Sequence, residues 1–222
     1  MTPHLDLTIA EESVRLLPER AIFLSPRGLL VLADLHLGKA GTHRSLGIEM
    51  PEGVVEESLE RLETIVHRTE ARRIVILGDL VECEEGMEEP VVDLFARWRR
   101  RVTIPISLIG GDHEVDVSIP RAWRIDDDGA ESRIGPFLLR HEPPPPGGSG
   151  DHQPEFLISG HRHPVVSMGT GARRVLAHAF VKDPGQLILP AFTPFARGSR
   201  VRPDEDQRRR VFPISDGRVE EF

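Results

Sequence analysis

The chain has 222 residues, 39% hydrophobic and 29% charged, with a formal net charge of −8. That length supports one sizeable core and a single domain over residues 1–222, and no apolar run approaches the roughly 18 residues that a membrane-spanning helix needs, so no membrane partner is expected. The acidic balance argues against tight non-specific DNA binding, which comes from neutralising phosphates with Lys and Arg, so a phosphate-bearing substrate would need a local positive centre such as bound divalent cations.

The start, Met1-Thr2-Pro3-His4-Leu5-Asp6, has no basic stretch followed by an apolar one, which points to the cytoplasm. Leu5 to Ile9, Val14 to Leu17 and Ala21 to Leu24 read as short strands separated by turns. After the turn at Pro26-Arg27-Gly28 comes the apolar run Leu29 to Ala33, which stops at Asp34-Leu35-His36. Side chains at i and i+2 of a strand point the same way, so Asp34 and His36 are expected to converge on one ion where the strand ends.

Gly38 to Met50 reads as a polar loop, and Pro51 is placed to begin a helix. Val55, Leu59, Leu62 and Val66 then recur at helical spacing, predicting an amphipathic helix that ends near Ala71. Arg73 to Leu77 is a second strand-like run ending at Gly78-Asp79. Cys83, the sole cysteine, rules out an intramolecular disulfide and a cysteine-based zinc cluster, and it reads as a small half-buried residue. A second helix over Pro90 to Arg101 presents Val91, Leu94, Phe95 and Trp98 on one face, and Ile104 to Ile109 is a third strand ending at Gly110-Gly111-Asp112-His113-Glu114. Strands alternating with helices predict a mainly parallel sheet covered by helices.

Beyond Pro120 the helical period disappears, and strand-like runs occur at 137–140, 156–159, 165–166, 174–180, 187–189 and 211–212. The segment 143–150, four prolines then Gly-Gly-Ser-Gly, reads as an exposed loop, and the mixed charges of 197–210 read as a solvated face. Val211 to Phe222 reads as a last hairpin, and no internal repeat is present.

The strand ends and the turns just beyond them carry Asp34, His36, Asp79, Asp112, His113, His141, His161 and His163. Ligands of open α/β sheets gather beyond the carboxyl ends of the strands, so these residues can be neighbours in space. Each pair alone is weak, because a lone histidine is more often a satisfied core or surface residue. Mixed imidazole and carboxylate donors suit Mn, Fe, Zn, Co or Ni better than Mg or Ca. Lys39, His43 and Arg44 come soon after the first pair and are candidates for substrate phosphates, or ordinary loop charges.

The ordered set Asp34-Leu35-His36, Gly78-Asp79, Gly111-Asp112-His113-Glu114, His141 and Gly160-His161-Arg162-His163 resembles the calcineurin-like metallophosphoesterases. Leu17-Pro18-Glu19-Arg20-Ala21, the stretch from Ala33 to Ala40, Leu46 to Pro51 and Leu189-Pro190-Ala191-Phe192 further resemble their ligase-associated DNA-damage-response endonuclease branch, the PdeM type. The resemblance implies a four-layered α/β/β/α sandwich and two divalent ions, Mn foremost, bridged by Asp79 with a hydroxide between them. One ion would be held by Asp34, His36 and His163, the other by Asp112, His141 and His161. His113 would be the proton donor, with Glu114 holding its ring. The usual Asn of the third motif is Asp112 here, a carboxylate in place of a neutral carbonyl, which should tighten the second metal and weaken its pull on substrate oxygens.

The resemblance further implies a two-metal endonuclease or phosphodiesterase acting on nucleic acid, in DNA repair beside a DNA ligase or helicase. A phosphodiesterase or phosphomonoesterase acting on nucleotides or other small molecules would share every ligand, and the acidic balance favours it. A scaffold that has lost catalysis is the third alternative, against which the intact ligand set argues. The sequence leaves the oligomeric state open.

Overall fold

The computed structural model describes residues 3–45, 47, 51, 53–144, 155–169, 171, 174–196, 198–204 and 208–222. Two mixed sheets face each other. The first runs in chain order through β1 (Leu5–Ile9), β2 (Glu12–Leu17), β3 (Ala21–Leu24), β4 (Leu29–Leu32), β5 (Arg73–Leu77), β6 (Ile106–Ile109) and β7 (Asp126–Asp127). Short turns make β1 to β4 an antiparallel meander. From β4 onward the pairing is parallel, because helices α2 (Val54–Thr69) and α3 (Glu89–Arg101) carry the chain back between strands.

The second sheet contains β8 (Glu131–Ile134), β9 (Phe137–Arg140), β10 (Phe156–Ser159), β12 (Val175–Asp183), β13 (Gln186–Ile188), β14 (Arg210–Ser215) and β15 (Arg218–Val219), with β11 (Val165–Met168) paired to β12. β9, β10 and β13 are parallel, and the terminal hairpin β14–β15 forms as expected.

Side-chain alternation sorts the core into layers. Leu30, Leu32, Ile74 and Ile76 pack toward Leu62, Ile65, Phe95 and Trp98 of the helices. Their neighbours Leu29, Val31, Val75 and Leu77 point the other way and meet Phe137, Leu139, Ile158, Phe180 and Phe212 of the second sheet. Both faces of β4 and β5 are buried, which is why those strands are continuous apolar runs. The outer face of the second sheet carries a small cluster of Val166, Ala177, Ala179 and Val211, and among the described residues no helix covers it.

Several boundaries differ from the sequence reading. The polar stretch after Gly38 contains a short helix, α1 (Lys39–Ser45), which has no apolar period to betray it. Gly38 starts it at φ +83°, so close to the loop around Gly86 that a Cβ would collide with the Gly86 carbonyl. β6 begins at Ile106 and not Ile104, since Pro105 has no amide to give the ladder. β7 and β8 carry no strand signal in the sequence because they are short and polar. Of the proline-glycine segment, residues 145–150 lie outside the described residues, as do 46, 48–50, 197 and 205–207. Within the charged segment, Arg209 makes a double contact with Asp183 at 2.8 and 2.9 Å, and Arg210 pairs with Glu221 at 2.7 Å.

Candidate metal centre

Beyond β4 and β5 the chain leaves the sheet but keeps pairing: Asp34 N–H donates to the Gly78 carbonyl at 3.1 Å and His36 N–H to the Asp79 carbonyl at 2.8 Å. Asp34 and His36 therefore lie past the last strand residue, Leu32, and the pleat does not align them. They turn inward because both adopt left-handed backbone, at φ 59° and 49°. Asp79, His161 and His163 do the same, so five of the seven expected ligands sit in this sparsely populated region. Strain of that kind, of order 1–3 kcal/mol per residue, persists where surrounding structure holds it, and it gathers at functional sites.

The second sheet supplies the other half. His141 comes just after β9, and His161 and His163 just after β10. The His161 amide donates to Asp34 Oδ1 and Oδ2, both at 3.2 Å, and the Thr193 amide donates to the Asp34 carbonyl at 3.1 Å. The Asp34 loop is thus clamped between the sheets.

Three groups of side chains with donor atoms close enough to share a cation result among the described residues, one of them His36, Glu82 and His113 and the other two joined by Asp79. In the first of these two, Asp34, His36, Asp79 and His163 offer donor atoms close enough to share one cation. His163 Nε2 lies 3.3 Å from Asp34 Oδ1 and 3.4 Å from His36 Nε2. In the second, Asp79 is joined by His141 and His161, with His141 Nε2 3.3 Å from Asp79 Oδ1 and 3.1 Å from His161 Nδ1. Asp112 stands at the rim of this group, half exposed, 3.4 Å from His161 Nδ1. Asp79 belongs to both groups.

The donor chemistry fits two divalent ions. Asp34 and Asp79 are 0% and 3% exposed, and among the described residues their ion-pair partners are all histidines. Two buried carboxylates with no Lys or Arg beside them need positive charge from elsewhere. The imidazoles are oriented to admit it: His141 Nδ1 donates to the Leu77 carbonyl at 2.8 Å, which leaves Nε2 free as a donor of electrons to a metal.

His113 lies over the first group, its Nε2 3.8 Å from Asp79 Oδ2 and its ring edge-on to His36. Its Nδ1 donates to the Glu82 carbonyl, so the ring is held by backbone and not by Glu114 as expected. Glu114 instead accepts from three amides, those of Gly111 (2.8 Å), Asp79 (2.9 Å) and Val81 (3.1 Å), which ties the second and third motifs together. The residue missed from sequence is Glu82. Its carboxylate lies 2.8 Å from His36 Nδ1 and accepts twice from Lys39 Nζ at 2.9 Å. Burial alone would raise its pKa, but the hydrogen bonds and charges of His36 and Lys39 win and hold it at about 2. The signal is present as Gly-Asp-Leu-Val-Glu, but a glutamate on a loop resembles any other surface charge.

The three candidate substrate contacts are not gathered at the centre. Lys39 is engaged by Glu82, Arg44 lies 3.9 Å from Glu88 at the surface, and His43 Nδ1 is buried without a hydrogen-bond partner. Among the described residues no helix is long and apolar enough to cross a membrane.

No protein-family model matches the chain, and no curated protein does. Among solved structures, the nuclease MPE of Pseudomonas putida superposes with a TM-score of 0.83 at 26% identity, covering 99% of this chain and 100% of that one. Yfce, a phosphoesterase from E. coli, covers 87% of this chain and 97% of its own at 14% identity and a TM-score of 0.45. The two-sheet fold, the side chains gathered from Asp34 to His163 and the full-length likeness to the Pseudomonas nuclease together support a relative of the calcineurin-like metallophosphoesterases.

Proposed function

We propose that the chain is a metal-dependent phosphodiesterase that cleaves nucleic acid as a nuclease, with manganese as the preferred metal. The observation that carries this is the pair of buried carboxylates, Asp34 and Asp79, ringed by four imidazoles in a chain that superposes end to end on a nuclease. Asp34, His36 and His163 would hold one cation, and Asp112, His141 and His161 the other, with Asp79 between them. Bound there, two divalent cations would supply an activated water at neutral pH and offset the charge of an in-line displacement at phosphorus.

The remaining work falls to side chains. His113 Nδ1 is committed to the Glu82 carbonyl, so Nε2 is the atom left to face substrate. Protonated, Nε2 donates to a phosphoryl or leaving-group oxygen and can pass it a proton. The Glu82 carboxylate beside His36 Nδ1 and the Leu77 carbonyl bonded to His141 Nδ1 favour ring orientations that turn Nε2 toward the centre. The products are a phosphomonoester and a free hydroxyl. A role in DNA repair beside a ligase or helicase belongs to the same proposal, supported by the motifs around Arg20 and Phe192.

The test is hydrolysis of an aryl phosphodiester by Mn²⁺-loaded protein, with single-stranded DNA, duplex DNA, a cyclic dinucleotide and an aryl monoester assayed alongside. Asp79→Ala should abolish turnover, and His113→Ala should lower it by about 10²–10⁴-fold. If the loaded protein hydrolyses neither diesters nor monoesters, it is a scaffold. A second reading, a phosphoesterase of small nucleotides, is favoured by the net charge of −8 and predicts turnover of the cyclic dinucleotide without DNA cleavage.

A further inference from the structure

A cavity of about 440 Å³ opens beside the metal centre on the side of the second sheet. His161 forms part of its wall and also stands 3.4 Å from Asp112, so cavity and centre share a side chain. Val181 and Ile188 contribute apolar lining, and Arg162, Arg200 and Arg209 bring three guanidiniums. Against them the lining holds one carboxylate, Glu142.

The three arginines are not equivalent. Arg209 is neutralised by Asp183 through two hydrogen bonds. Arg162 donates Nη2 to the Pro144 carbonyl at 2.9 Å, a neutral acceptor, and its charge adds to that of Arg209 in holding the Asp183 carboxyl below its ordinary value, so Asp183 faces two guanidiniums with one carboxylate. Arg200 is exposed, and among the described residues no carboxylate pairs with it. Its backbone is nevertheless fixed: Arg200 bridges Val165 in parallel, with Val165 N–H donating to the Ser199 carbonyl and Val201 N–H to the Val165 carbonyl, both at 2.9 Å. The Ser199 amide donates to the Arg162 carbonyl at 3.2 Å, so the backbone segments that carry Arg162 and Arg200 are tied together.

In a chain with a net charge of −8, three arginines lining one cavity next to the candidate metal centre, against the carboxylates of Glu142 and Asp183, make a local excess of positive charge suited to an anionic part of the substrate. Guanidinium forks match phosphate oxygens in pairs, where a lysine would offer a point charge. We propose that this cavity is a subsite for a non-scissile phosphate of the substrate, with Arg200 and Arg162 reading it. The inference rests on the phosphodiesterase reading and narrows its substrate to diesters carrying at least one further phosphate, whether in an oligonucleotide or in a phosphorylated dinucleotide.

Arg200→Ala and Arg200→Glu are the variants of choice, because the side chain is exposed and lies outside the ligand set. Parent and variants are compared on an aryl diester, on thymidine dinucleotides with and without a terminal phosphate at either end, and on a single-stranded oligonucleotide. The parent should gain at least tenfold in kcat/KM from the terminal phosphate at one end. Arg200→Ala should lose most of that gain and Arg200→Glu all of it, while the aryl diester stays within twofold. On the oligonucleotide, the slope of log(kcat/KM) against log salt should flatten by about 0.7 for the lost phosphate contact. Variants that discriminate as the parent does, or that lose the aryl diester equally, overturn the subsite, as does a parent that cleaves the aryl diester and gains nothing from the added phosphate. In each of those cases the phosphodiesterase reading survives. A parent that cleaves no diester defeats that reading and the subsite with it, and one that prefers the phosphorylated dinucleotide but ignores the oligonucleotide keeps the subsite and assigns it to small nucleotides.

Discussion

Glu82 joins three parts of the centre through one residue: its carboxylate holds Lys39 and faces His36, and its carbonyl accepts from His113. Glu82→Gln keeps the shape but removes the charge that makes His36 Nδ1–H a strong donor. Metal affinity at the first group should fall by about 10–100-fold, measured by calorimetric titration of Mn²⁺ into the stripped protein. Asp112→Asn should likewise weaken metal binding, at the second group, where a rim carboxylate is removed, but raise turnover at saturating metal. Equal affinity and turnover in the two proteins would sink that expectation. A third residue tunes pH response. Burial first, then the charges of Arg20, Arg61 and His163, hold His178 at about 4, below the ordinary histidine value of 6.5. Between pH 6.5 and 4 the unfolded chain therefore binds the extra proton and the folded one does not, so stability falls as pH drops through that window. His178→Gln should flatten the melting temperature over that range relative to the parent.

At the scale of elements, the centre depends on how strands end. β4 and β5 pass into paired left-handed turns, and the glycine between Leu77 and Asp79 makes this possible. Gly78 has φ +71°, and a Cβ there would collide with His141 Nδ1, the atom that donates to the Leu77 carbonyl. Gly78→Ala should therefore destabilise the fold by about 1–3 kcal/mol in urea denaturation and loosen metal at the His141 side as well. Helix α1 is the other sensitive junction, since Gly38 and Gly86 approach too closely for any side chain. The periodicity of α2 and α3 is legible because each buries one face: Leu59, Leu62 and Val66 in one, Phe95 and Trp98 in the other. Helix α1 is not legible, because Lys39 to Ser45 has no apolar stripe and is held by Gly38 and by the bond from Lys39 to Glu82.

For the whole molecule, the layer between the sheets carries stability and places the site at once. Leu139, buried there beside Phe137 and Ile158, is two residues from His141, so Leu139→Ala should cost about 2–5 kcal/mol in chemical denaturation and weaken the second metal group together with the fold. Chelation should lower the melting temperature of the parent, since any ligand present at about 100 times its dissociation constant contributes about 2.7 kcal/mol to the folded state. Sequence alone determined the α/β class and the placing of Asp34, Asp79 and Asp112 just beyond successive strands, because strand burial and strand-end chemistry are local properties that a period or a motif records. The strand pleat predicts the convergence of Asp34 and His36, yet they lie beyond β4 and converge through left-handed turns that the opposite loop stabilises. Glu114, expected to hold the His113 ring, instead accepts from backbone amides, and the ring is held by the Glu82 carbonyl, since a polar group's partner is chosen by what the folded chain brings within about 3 Å. The tertiary structure alone decided which glutamate supports the first group, that Lys39 is engaged by Glu82, and that arginines from separate segments of the chain share a cavity beside His161. Those outcomes depend on contacts between residues tens of positions apart, and no local pattern in the chain encodes them.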